Sequence, residues 1–220
     1  MYARNTTDLV SRIERAMGLG SDLVEARIDL LAQIRFEELA RIVTKHRRRL
    51  ILTCRPTQEG GGFDGTEKER LEVLQKLSRL GSAFLDVELS LAKKYPRRLR
   101  DLSKNLTALI ISWHDFERTP ADSKLKERVN EALKLGDIAK IVPTAREFRD
   151  NLTVLSLYDD HQENKLVAFC MGEKGIVSRL LCPLLGSPFT YASLPGQPTA
   201  EGQPSIGVLR GLLALIRMET

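Results

Sequence analysis

Short apolar runs rich in β-branched residues alternate strictly with longer stretches of helical period, and this alternation constrains the fold more than any other feature of the chain. The strand-like runs cover 23–29, 50–55, 83–89, 106–114, 138–144, 166–171 and 189–194. The helical stretches cover 7–17, 36–46, 66–80, 91–104, 121–135, 146–158, 176–185 and 205–218. Strands separated by helices run parallel through right-handed crossovers, which leaves a doubly wound sheet or a closed barrel. No Gly-x-Gly-x-x-Gly follows a strand, so the dinucleotide fingerprint of the first alternative is absent. Most strands instead end on a charged or hydrogen-bonding residue: Glu25, Arg27 and Asp29, then Arg55, Asp86 and Glu88, His114 and Lys140. A barrel draws its chemistry from the ends of many strands, whereas a doubly wound sheet gathers it at one switch point. The pattern therefore predicts an α/β fold of the (β/α)8 TIM-barrel class, with residues 1–220 as a single catalytic domain.

Eight helical stretches face only seven strands. Met1-Tyr2-Ala3-Arg4-Asn5 leads at once into the first helix and leaves no room for a strand of five or six residues. The expectation is a barrel lacking its first strand, with unpaired edges at the runs that begin at Leu23 and Phe189.

Composition excludes several classes. With 42% hydrophobic and 29% charged residues, the 220-residue chain has too much apolar material for a disordered protein. No apolar run approaches a bilayer span and no secretory leader opens the sequence, so a cytoplasmic protein is expected. Cys54, Cys170 and Cys182 each sit in apolar runs, and no disulfide is expected. A net charge of +5, interspersed along helices, favours solubility and anionic ligands without implying nucleic acid.

Lys140 interrupts Ile138-Ala139-Lys140-Ile141-Val142, a run that otherwise reads as a strand buried on both faces. A buried amine can act as a Schiff-base nucleophile; a snorkelling lysine or a buried ion pair is the competing reading. His114 closes the apolar strand before Asp115-Phe116, in position for acid/base work or as an incidental imidazole near a helix start. Arg55-Pro56-Thr57-Gln58-Glu59 followed by three glycines fits an active-site loop or a flexible surface loop. Glu25, Arg27 and Asp29 share strand parity, as a site or as a self-neutralised structural cluster. Arg179, just inside a helix start, offers a planar fork to a carboxylate.

Together these segments resemble type I 3-dehydroquinate dehydratase, the Schiff-base-forming enzyme of the shikimate pathway. The resemblance runs from about residue 7 to 218 and rests on seven ordered motifs. They are Glu25-Ala26-Arg27-Ile28-Asp29, residues 55–61, Leu85-Asp86-Val87-Glu88, Ser112-Trp113-His114-Asp115-Phe116, residues 137–140, residues 171–179 and Gly202-Gln203. It implies removal of water from 3-dehydroquinate to give 3-dehydroshikimate, with no cofactor and no metal. It also implies that Lys140 forms the imine, His114 moves protons, and Glu59 orients that histidine. Glu25, Arg27 and Arg55 would bind substrate, Arg179 would hold its carboxylate, and Thr199 and Gln203 would hydrogen-bond it. The family's Ala-Pro-Gly-Gln loop reads Ala200-Glu201-Gly202-Gln203 here. Pro195-Gly196-Gln197 matches that pattern more literally, so Gln197 competes with Gln203 for the role. By the same resemblance the protein would be a homodimer whose partner is the small-molecule substrate, with no nucleic acid and no membrane.

Two other readings follow from single features. Lys140 alone would suit a class I aldolase-type barrel, though a Gly-rich phosphate nest is missing near the last strands. The runs Lys45-His46-Arg47-Arg48-Arg49 and Arg97-Arg98-Leu99-Arg100 would suit a basic nucleic-acid-binding protein.

Overall fold

The structure is a computed structural model that describes residues 3–104, 107–161 and 163–217. The chain divides into two compact units, residues 1–111 and 112–220.

The first unit opens with helix α1 (Thr6–Gly18), started by Asn5, whose side chain accepts from the Asp8 N–H. Strand β1 (Val24–Arg27) follows, then α2 (Phe36–His46), β2 (Leu50–Thr53), α3 (Glu67–Ser78) and β3 (Phe84–Glu88). Thr66 and Glu69 form a capping box that fixes where α3 begins. Strands β1, β2 and β3 lie side by side and parallel, with Ala26 opposite Leu52 and Leu52 opposite Leu85. The stretch expected as one helix over 91–104 is two, α4 (Leu89–Lys94) and α5 (Pro96–Ser103). Pro96 causes the break: it lacks an N–H and holds Tyr95 out of the helical region. Strand β4 (Ala108–His114) begins in this unit beside β3, the Ala108 N–H donating to the Ala83 carbonyl. Its expected first residue, Leu106, lies outside the described residues.

The second unit holds the end of β4, α6 (Asp122–Leu133), β5 (Ile138–Val142), α7 (Arg149–Leu155), β6 (Leu166–Ala168), α8 (Ile176–Leu181) and α9 (Ile206–Arg217). The Asp115 N–H donates to the Val142 carbonyl, and β5 pairs parallel with β6. Pro143 ends β5, and Pro183 turns the end of α8 into a tighter helical turn over Cys182–Leu185.

Strand order follows chain order from β1 to β6, as successive parallel βα units require. Among the described residues there are six strands rather than seven. The run 189–194, with its alternating β-formers, makes only isolated bridges, Ser193 to Ser205 and Leu194 to Gln197. Its backbone groups are taken elsewhere. The Phe189 carbonyl accepts from Ser187 Oγ, and Ser193 exchanges hydrogen bonds with Pro204 and Ile206. Residues 3–22 contain α1 and no strand; Met1 and Tyr2 of the expected strandless start lie outside the described residues.

The core is the inner faces of these elements. Leu50, Leu52, Leu85, Leu74 and Leu77 are fully enclosed in the first unit, and Ala139, Ile141, Val167 and Val129 in the second. Full enclosure of consecutive residues such as 138–142 marks strands covered on both faces, as parallel sheets demand. Cys54, Cys170 and Cys182 are buried free thiols; burial raises Cys54 to about 12 and the other two to about 11. No helix among the described residues is long and apolar enough to cross a membrane.

Candidate active site

In the first unit the strand ends carry a closed chain of charge. Arg55 follows β2 and is 6% exposed; its Nη2 lies 2.8 Å from Asp86 Oδ1 and its Nε 3.5 Å from Glu88 Oε1. Arg70, from α3, reaches the other oxygen of Glu88 and also donates to the Cys54 carbonyl at 3.0 Å. Burial works against the charge on Arg55, but Asp86, Glu25 and Glu88 outweigh it and raise its pKa. Burial pushes Glu88 up against the opposing pull of Arg70 and Arg55.

Glu25 accepts a 2.6 Å hydrogen bond from Thr53 Oγ1 on the neighbouring strand. Arg27 grips Asp29 with two hydrogen bonds, Nε to Oδ1 at 3.0 Å and Nη2 to Oδ2 at 2.6 Å. The expectation that all three acidic and basic residues share one strand face fails at Asp29. The strand ends at Arg27, and Asp29 lies in the tight turn Ile28–Leu30 that curls back toward it. There Asp29 also accepts from the Gly62 N–H at 2.9 Å, while Arg27 reaches the Gly60 carbonyl at 3.4 Å. The pair therefore ties down the glycine loop that carries Glu59.

That loop is a fitted turn rather than a loose tether. Gly60 closes the turn Thr57–Glu59 at φ +74°, and a Cβ at Gly61 would run into the Arg55 carbonyl. Glu59 accepts from Ser90 Oγ at 2.5 Å, a partner that no motif in the sequence announced.

In the second unit Lys140 sits mid-strand in β5 and is 4% exposed, so the snorkelling alternative fails. Its Nζ lies 4.5 Å from the centre of the Tyr191 ring. Tyr191 was hidden in the sequence because its run reads as an ordinary strand. His114, at the end of β4, stacks on Phe116 with ring centres 6.0 Å apart. Behind it Asp115 accepts from the Glu117 and Arg118 N–H groups, so the chain turns sharply after the strand.

Arg179 lies in α8, is 2% exposed and has no acidic partner within ion-pair distance among the described residues. Its Nη1 makes a long 3.4 Å bond to the Tyr191 carbonyl, its Cζ lies 4.3 Å from the Phe169 ring, and its Nε makes no hydrogen bond. Burial lowers its pKa to about 10. Thr199 and Gln203 come together: Gln203 Oε1 accepts from both the N–H and Oγ1 of Thr199, each at 2.9 Å. Gly202, at φ +69°, rests on the Gly172 carbonyl, where a Cβ would collide. Gln197 closes a separate turn by donating its N–H to the Leu194 carbonyl.

The basic runs are partly engaged in local structure. Lys45 and His46 both meet Glu14, and Arg49 donates to the Ser21 and Asp22 carbonyls. Among the described residues, no group of His, Cys, Asp and Glu is arranged to hold a metal ion.

Known proteins similar to this chain in sequence and fold include several 3-dehydroquinate dehydratases. The 3-dehydroquinate dehydratase of Dehalococcoides mccartyi is 41% identical over 191 residues, 85% of this chain and 82% of that one. The crystal structure of the Aquifex aeolicus 3-dehydroquinate dehydratase matches with a TM-score of 0.80 at 30% identity, covering 96% of this chain and 97% of that one. The type I enzyme of Clostridium difficile has a TM-score of 0.87 at 22% identity over 99% of this chain and 90% of that one, a likeness of fold. These neighbours share the TIM-barrel-like α/β fold. The model of the type I 3-dehydroquinase family matches residues 1–220, and the chain belongs to that family.

Proposed function

We propose that this protein converts 3-dehydroquinate into 3-dehydroshikimate and water through an imine on Lys140, with residues 1–220 acting as one catalytic domain. Arg179 is the observation that carries the reading. A guanidinium enclosed to this extent without a carboxylate is costly unless a ligand supplies the anion, and a planar fork suits a substrate carboxylate. Tyr191 touches both Arg179 and Lys140, so the anion clamp and the amine belong to one cluster within the second unit.

The chemistry follows from what each group can do. Lys140, as the free amine, adds to the ketone carbon, and that oxygen leaves as water, forming a protonated imine. The imine nitrogen withdraws electrons from C2, which lets His114 take the C2 proton. The electron pair returns through the enamine, the C1–O bond breaks, and His114 returns the proton to the departing hydroxyl, which leaves as water. A water molecule then hydrolyses the conjugated imine and restores the amine. Glu59 orients His114, while Glu25, Arg27 and Arg55 bind the substrate hydroxyls. Thr199 and Gln203 hydrogen-bond the substrate from the loop before α9, in preference to Gln197, because their mutual bonds form a single unit.

We place the enzyme in the cytoplasm as a homodimer that binds neither nucleic acid nor membrane. The test is incubation with 3-dehydroquinate, following the conjugated enone by ultraviolet absorbance. Borohydride added during turnover should leave a stable adduct on Lys140, located by peptide mass. No turnover rejects the function; an active enzyme with its adduct on another lysine rejects the role of Lys140.

A further inference from the structure

Lys140 and Arg179 are the two buried cations described in the second unit, and both rest on aromatic faces. The Lys140 Nζ is 4.5 Å from the Tyr191 ring centre, and the Arg179 Cζ is 4.3 Å from the Phe169 ring centre. The two rings are 5.8 Å apart and inclined at 47°. Tyr191 is common to both cations, holding one over its ring and taking a hydrogen bond from the other at its carbonyl. Its own place is set from several sides. Phe189 packs edge-on at 5.8 Å, and Thr190 Oγ1 donates to the Arg179 carbonyl at 2.7 Å. The segment carrying Tyr191 thus trades a strand ladder for bonds to the helix that carries Arg179.

Two cations enclosed in one apolar layer repel each other and lose hydration, and the negative face of an aromatic ring compensates without neutralising either. A carboxylate in the same place would pair with Arg179 and occupy it. An aromatic face leaves Arg179 available to a ligand.

We infer that Phe169 and Tyr191 form a platform that sets the separation of Lys140 from Arg179, with Tyr191 the positioning residue that matches it to the spacing of ketone and carboxylate in the substrate. This rests on the function proposed above. The ring serves the reaction because the protonated imine places a positive charge on the lysine nitrogen, over the same aromatic face. The arm acting on Arg179 runs through the Tyr191 backbone, which substitution leaves in place. Loss of the ring is therefore felt at the lysine nitrogen.

The test compares the parent enzyme with Tyr191→Phe and Tyr191→Leu, each verified as folded by circular dichroism and melting temperature. It reads kcat, KM for 3-dehydroquinate, and the rate at which borohydride traps the Lys140 adduct. A desolvated cation over an aromatic ring corresponds to about 10- to 30-fold in rate. Tyr191→Phe keeps the ring and should stay within about 3-fold of the parent. Tyr191→Leu should lose about 10- to 30-fold in kcat and in trapping rate, with KM moving less than kcat. A folded Tyr191→Leu with parental kcat and trapping overturns the inference, as does a Tyr191→Phe that falls as far as Tyr191→Leu. If Tyr191→Leu does not fold, Tyr191→Met, which fills similar space without a π face, is read against the same outcomes. An inactive parent sinks the function and this inference together; an active parent with an indifferent Tyr191→Leu sinks this inference alone.

Discussion

Replacing Arg179 by methionine should make the ligand-free protein more stable while destroying its activity. Burial lowers the Arg179 pKa to about 10, which corresponds to about 3 kcal/mol of destabilisation of the charged side chain. Methionine removes that charge and fills most of the space. It also forfeits the stacking on Phe169 and the long bond to Tyr191, together about 1–2 kcal/mol. The net gain is about 1–2 kcal/mol, or roughly 3–6 °C in melting temperature for a chain of this size. The sign with pH follows from linkage. The folded-state pKa lies below that of the unfolded chain, so the penalty is complete at neutral pH, where both states are charged. It fades as pH rises past about 10 towards the ordinary arginine range. The advantage of Arg179→Met should therefore be flat from about pH 6 to 9 and shrink only in stronger alkali. Scanning calorimetry of both proteins, with and without 3-dehydroshikimate as the carboxylate-bearing ligand, gives the measurement. The parent should gain stability from the ligand and the variant should not. A folded variant that melts below the parent at pH 7 and still responds to the ligand would refute the reasoning.

Three further perturbations test other parts of the site. His114→Ala should lower turnover by about 10²- to 10⁴-fold while leaving ligand-induced stabilisation in place, and a rate near the parent's would remove it as the proton carrier. Gly61→Ala drives a Cβ into the Arg55 carbonyl, so the loop carrying Glu59 must shift; kcat should fall and the melting temperature drop, and unchanged kinetics would show that the loop position is immaterial. Arg70→Met strips one of two cations from the fully enclosed Glu88, at a cost of about 3–5 kcal/mol measurable in urea, and a loss below about 1 kcal/mol would show that Arg55 alone suffices.

The periodicity of the chain exposed the βα units because burial on both faces leaves an apolar run with few exceptions, and Lys140 stood out as one of those exceptions. The same signal misled at residues 189–194. Periodicity reports which residues face inward, not where the backbone hydrogen bonds go, and here side-chain hydroxyls and the loop before α9 take them. Pro96 could have divided the helix over 91–104 in advance, since a proline marks a boundary when the residue before it leaves the helical region. Arg70 and Ser90 were invisible for another reason: each lies on a helix face among many polar residues, and only tertiary contact distinguishes the one that touches Glu88 or Glu59 from its neighbours. Tyr191 combined both difficulties.

The charge balance differs between the two units, each taken by itself. In the first, Arg27, Arg55 and Arg70 are matched by Asp29, Asp86 and Glu88, with Glu25 as a further acid. That cluster has no excess positive charge with which to attract an anion, but it presents ordered donors and acceptors of the kind that hydroxyl groups require. In the second, Arg179 is enclosed with its charge unmatched by any acid among the described residues. Within that unit a ligand carboxylate would supply the missing anion, so the proposed carboxylate contact falls to Arg179 and not to the matched arginines of the first unit. A ligand without a carboxylate would leave the buried Arg179 charge uncompensated, which costs free energy. On the proposed function, the substrate's carboxylate is therefore selected by the unmatched charge of Arg179 rather than by shape alone.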